Sequence, residues 1–108
     1  MAVMKRERRP TTPGEILAEL FLHPRKVSIA KFAEAAGVTR KHMSAVVNGR
    51  AAITAETATR IATVLGTSAQ VWLNLQNAID LYDAAKKLRR GENRPKRLPI
   101  FAVEKDAA

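Results

Sequence analysis

The sequence predicts an all-α protein, a bundle of five helices. Three observations carry that expectation. A chain of 108 residues can bury a modest core and folds alone most readily as a helical bundle. Thr or Ser stands ahead of an apolar stripe five times, at Thr12, Ser28, Thr39, Thr54 and Thr67 or Ser68, and such hydroxyls accept the unpaired N–H groups of a helix start. Gly37, Asn48-Gly49 and Gly66 then close three of the stripes, as residues that tolerate a left-handed conformation do. Aromatics are 5% against 46% hydrophobic residues, so the core must rest on Ala, Val, Leu and Ile.

The first helix starts at Thr12-Pro13-Gly14-Glu15. Thr12 caps, Pro13 suits the first helical position and Glu15 completes a capping box. Ile16, Leu17, Leu20 and Phe21 follow at helical spacing, and His23-Pro24 stops the run because a residue before proline is pushed out of the α region. Ser28 caps a second helix, Ile29 to Ala36, and Thr39 a third, Arg40 to Val47. Thr54 caps a fourth, with Ala58, Ile61, Ala62 and Leu65 on one face. The fifth runs to about Leu88, with Val71, Trp72, Leu75, Ile79, Tyr82 and Ala85 as its stripe. Gly91 to Pro99 reads as a linker. Leu98 to Val103 is apolar and β-prone, expected as a short C-terminal strand or as unordered chain. The organisation expected is a flexible basic arm at 1–11, a helical domain at 12–88, and a basic, partly ordered tail at 89–108.

The net charge of +9 points to a polyanion partner: nucleic acid first, an anionic membrane second, an acidic protein third. Residues 86–97 hold seven Lys/Arg and one Glu. Residues 10–85 are nearly neutral, with seven Lys/Arg and six Asp/Glu, yet six of those bases lie between Arg25 and Arg50. There is no cysteine, which removes disulfides, thiolate metal sites and cysteine nucleophiles together. No apolar run approaches a membrane span of about 20 residues, and residues 1–9 lack the apolar part of a signal peptide. A cytoplasmic protein is expected. No phosphate loop, nucleophile elbow or metal motif is present, so neither an enzyme nor a cofactor is expected. His23 and His42 lack metal-ligand spacing and read as surface residues. Asp80 and Asp83, followed by Lys86 and Lys87, read as a solvated helix face.

The second and third helices share a turn of about three residues, and a pair joined so tightly crosses steeply. Close crossing needs a small residue, which Ala33 supplies, and a turn residue free to take positive φ, which is Gly37. Phe32, Ala36, Val38, Met43 and Val46 are spaced to anchor the pair from beneath. These are the requirements of a helix-turn-helix. Met43 and Val46 turn inward, so Arg40, Lys41, Ser44 and Ala45 face out, as residues set against base edges in a major groove do. Arg40 and Lys41 can donate to guanine, and Ala45 can touch a thymine methyl. Thr39, Asn48 and Arg50 sit at the helix ends, where phosphate contacts are expected. The helix start at Ser28 offers N–H groups to a phosphate, and Lys31 lies one turn on. One helix-turn-helix reads few base pairs, so a homodimer on double-stranded DNA is expected. Val71, Trp72, Leu75, Ile79, Tyr82 and Leu88 exceed what four small helices need for cover, and the dimer contact is expected there.

Ile29 to Asn48 resembles the helix-turn-helix of the phage-repressor (Cro/C1, or XRE) family, with alanine and, four residues later, glycine, and the trailing Asn48-Gly49-Arg50. The stretches Thr12-Pro13-Gly14-Glu15-Ile16-Leu17, Ala52-Ile53-Thr54, Val64-Leu65-Gly66-Thr67 and Trp72-Leu73-Asn74-Leu75-Gln76 are similar to those of HigA-type antitoxins. The likeness covers roughly residues 10–85; the arm and everything past Lys86 fall outside it. It implies a lambda-repressor-like fold, binding to operator DNA, repression of the protein's own operon, and a HigB-type toxin that cleaves mRNA as partner. Glu15, Glu19, Asp80, Asp83 and the arm are the expected places for the toxin. The alternatives are a stand-alone XRE-type regulator without a toxin and a basic RNA-binding protein.

Overall fold

In a computed structural model of the chain, residues 8–101 are described, and they form five helices and no strand. Helix α1 is α-helical over Pro13–Ile16 and continues with π-helical turns over Leu17–Leu22. The capping box is formed: Glu15 N–H donates to Thr12 Oγ1 at 3.1 Å, and Thr12 N–H to Glu15 Oε1 at 3.1 Å. Helices α2 (Ile29–Ala36), α3 (Arg40–Val47), α4 (Ala55–Leu65) and α5 (Ala69–Arg90) follow. Each start is capped by the expected hydroxyl: Ser28, Thr39, Thr54 and, of the two candidates, Ser68.

The π turn changes which side of α1 is buried. Its hydrogen bonds run five residues back, as from His23 N–H to Ala18 O at 2.8 Å, so each turn takes in an extra residue. Leu17, Ala18 and Leu22 are buried, while Leu20, expected on the apolar face, is 59% exposed.

The core lies where α1, α2, α3 and α4 meet the first half of α5. Leu17, Met43, Ile61 and Trp72 are nearly or wholly sealed from solvent. Trp72 packs tilted against Phe21 at 5.7 Å between ring centroids and donates its indole N–H to Thr67 Oγ1 at 2.8 Å. That bond satisfies the single polar atom of an otherwise apolar burial. Only Trp72, Gln76 and Ile79 of α5 are buried. The helix has 22 residues, about 33 Å at 1.5 Å each, and it outruns the short helices beneath it.

The strand expected at Leu98 to Val103 does not form in its described part. Residues 98–101 enter a 3₁₀ turn, closed by Phe101 N–H to Leu98 O at 3.0 Å. Pro99 removes a donor and fixes φ, and no neighbouring strand is available among the described residues to pair with. Ala102 and Val103 lie outside the described residues, as do residues 1–7 of the expected arm. The end of that arm is tied down: Arg9 grips Asp83 through two bonds, Nε to Oδ1 at 3.0 Å and Nη2 to Oδ2 at 2.9 Å.

Candidate nucleic-acid interface

The turn between α2 and α3 is built as the sequence requires. Gly37 has φ +77°, left-handed geometry that resists a side chain. Phe32, Ala33, Met43 and Val46 pack beneath the pair. One residue of the turn's support was not foreseen. Arg60, on α4, donates from Nη1 to Ala36 O at 3.0 Å and lies 3.5 Å from Gly37 O. Its Nε and Nη2 both hold Glu56 Oε2 at 3.1 Å. A Cβ on Gly37 would come within 2.6 Å of Arg60 Nη1, so a side chain there would displace the end of Arg60. The signal in the sequence was the Glu56/Arg60 spacing of four, which places the two on one helix face.

With Met43 and Val46 buried, α3 turns its other side outward. Arg40 and Lys41 are exposed; Ser44 and Ala45 are half-buried. Thr39 Oγ1 accepts His42 N–H at 3.0 Å, so this hydroxyl serves the cap. Asn48 Nδ2 donates to Ser44 O at 2.9 Å and approaches Ser44 Oγ at 3.3 Å, which commits its donor to the helix end. Arg50 is exposed beside it, and Lys31 is exposed in the first turn of α2, where Ser28 Oγ accepts Lys31 N–H at 3.0 Å. Not every base of the Arg25 to Arg50 segment is available. Arg25 Nη1 donates to Leu20 O and Phe21 O at 3.0 and 3.1 Å, with its guanidinium over the Phe21 ring, closing the end of α1.

The six residues expected to join two copies divide among three sides of α5. Trp72 and Ile79 are 1% and 4% exposed within their own chain, so neither lies on a free surface. Successive helix residues turn by about 100°, which puts Val71, Leu75 and Tyr82 on an adjoining side and Leu88 on the side away from Trp72 and Ile79. Val71 and Leu88 are about half exposed, and Leu75 and Tyr82 partly so. Leu81, absent from the expected set, lies on the side of Leu88, seven residues on, and is 70% exposed.

The acids of α5 are engaged within the chain. Asp83 pairs with Arg9 rather than with Lys86 or Lys87. The Arg9 hydrogen bonds hold the Asp83 carboxyl below its ordinary pKa and raise that of Arg9 in return. Asp80 Oδ1 accepts Gln76 Nε2 at 3.0 Å, and Gln76 Oε1 accepts Ile53 N–H at 2.9 Å. Gln76 thus pins the loop between α3 and α4 to α5. His23 is exposed, 3.6 Å from Glu19 Oε2. Among the described residues no helix is long and apolar enough to cross a membrane.

A family model described as Helix-turn-helix matches residues 17–72. An uncharacterised HTH-type transcriptional regulator of Escherichia coli K12, YbaQ, is 41% identical over 85 residues, 79% of this chain and 75% of that protein. Antitoxin HigA-1 of Vibrio cholerae is 40% identical over 83 residues, 77% of this chain and 78% of the relative. The solved structure of Pseudomonas aeruginosa antitoxin HigA with the higBA promoter superposes with a TM-score of 0.71 at 36% identity, covering 82% of this chain and all of that one. With the turn, the capped helices and these likenesses in one chain, the protein belongs to the XRE-type helix-turn-helix family and is of its HigA antitoxin kind.

Proposed function

We propose that this protein is a sequence-specific DNA-binding antitoxin that represses its own operon as a homodimer and neutralises a HigB-type toxin in the cytoplasm. One observation carries the DNA-binding part: α3 buries Met43 and Val46 while Arg40 and Lys41 stand exposed at its N-terminal end. Arg40, Lys41, Ser44 and Ala45 face the base edges. Arg50, Lys31 and the N–H groups after Ser28 take phosphates, with Thr39 and Asn48 shaping the helix ends between them. A second copy packs around the exposed apolar sides of α5, with Val71, Leu75 and Tyr82 on one and Leu81 and Leu88 on the next, setting two recognition helices about 34 Å apart on a near-palindromic site. The protein acts by binding and not by catalysis.

The test is retardation of a duplex taken from upstream of the protein's own gene, with and without the product of the neighbouring short reading frame. Expected are a shifted band that an unrelated duplex does not compete away and, on co-expression, growth rescued from the neighbour's product. A shift abolished equally by any RNA would favour a basic RNA-binding protein instead. The second reading is a regulator without a toxin. It is favoured by the likeness to YbaQ, which is named a transcriptional regulator. It predicts operator binding with no toxic neighbour.

A further inference from the structure

We propose that Arg60 is a positioning residue for DNA recognition, one that fixes the angle at which α3 is presented without touching DNA itself. The proposal rests on the DNA-binding reading above and deepens it. The only covalent link between α2 and α3 is the short turn that begins at Gly37, and glycine takes either sign of φ with similar ease. The apolar contacts beneath the turn hold the two helices together, but burial is non-directional. Hydrogen bonds are directional, and the last carbonyls of a helix lack partners within it. Arg60 supplies one to Ala36 O at 3.0 Å and reaches toward Gly37 O, while Glu56 holds the other edge of the guanidinium. A planar fork restrained on two sides is a bracket, here joining α4 to the pivot of the helix-turn-helix. Base-edge hydrogen bonds tolerate only a few tenths of an ångström, whereas long cationic side chains follow a displaced phosphate. Loosening the bracket should therefore damage sequence preference and leave non-specific attraction intact.

The experiment compares wild type, Arg60→Ala, Arg60→Lys, Glu56→Gln and Arg40→Ala. The probes are the duplex that wild type enriches from a random library and a scrambled duplex of equal length. Affinities are measured over a salt series at a temperature where circular dichroism shows each variant folded. Arg60→Ala should lose about tenfold of its preference for the enriched duplex, the scale of one base contact, with the salt slope unchanged. Arg60→Lys should recover only part, since an ammonium cannot hold Glu56 and the Ala36 carbonyl at once. Undiminished preference in Arg60→Ala overturns the proposal. So does equal weakening on both duplexes with a salt slope shallower by about one charge, which would make Arg60 a phosphate contact. If Arg60→Ala does not fold, Arg60→Lys and Glu56→Gln decide: lost preference in both supports the bracket, and undiminished preference in either overturns it. Wild type enriching no duplex sinks the DNA-binding reading and this proposal with it. Preference lost in Arg40→Ala but kept in Arg60→Ala sinks the bracket alone.

Discussion

A single carbon added at Gly14 would strike the carbonyl oxygens of Val46 and Val47. The start of α1 lies directly on the end of α3, so Gly14 is a packing residue and not only part of a helix start. Gly14→Ala should destabilise the fold by about 1–3 kcal/mol, the usual cost of overpacking, read as a lower midpoint in urea. At Gln76 the constraint is polar. Gln76→Leu would strip the buried Ile53 N–H of its acceptor, which costs about 1–3 kcal/mol for an unsatisfied buried donor. An unchanged urea midpoint would mean that water reaches that amide. Arg40→Ala should cost about 1–3 kcal/mol on the preferred site and relax preference at one base position. Equal loss on all sequences would make Arg40 a phosphate contact.

Among the elements, α5 carries the most unresolved surface. From Asp80 onward none of its residues is buried, yet Leu81 and Leu88 remain 70% and 48% exposed. Leu81→Glu with Leu88→Glu should shift the protein toward the mass of one chain in sedimentation while leaving its helical signal unchanged, because neither residue supports the core. The same helix holds the arm through Asp83 and Arg9. Asp83 is held below its ordinary value of 3.8 by the Arg9 hydrogen bonds. A lowered carboxylate pKa favours the folded contact above the ordinary value and loses that favour as pH falls through the lowered one. The clasp should thus stand at neutral pH and release only in acid. Carbon NMR of the Asp83 carboxyl should show a midpoint below 3.8 that returns toward that value in Arg9→Ala.

Over the whole molecule, charge is unevenly placed. The body between residues 10 and 85 is nearly neutral, and the segment at 86–97 is strongly basic. Its residues from 91 on are exposed and lie beyond the last helix. Deleting residues 91–108 should make the salt dependence of DNA affinity shallower, because fewer counterions are released. The preferred sequence should not change, because α3 is untouched. An unchanged slope would remove the tail from the interface.

The sequence by itself determined the helices, their caps and the helix-turn-helix, because these are local: a hydroxyl before a stripe, a glycine after it, three residues between two short runs. It also named the side of α3 that faces out, since Met43 and Val46 fix the inner side by spacing alone. Tertiary structure decided what spacing cannot express. The π turn exposed Leu20, packing drew Trp72 and Ile79 inward and left Leu81 outside, and Arg9 and Arg60 found partners 74 and 24 residues away. Each of those outcomes depends on which surfaces meet in space, and no period or motif along the chain carries that information.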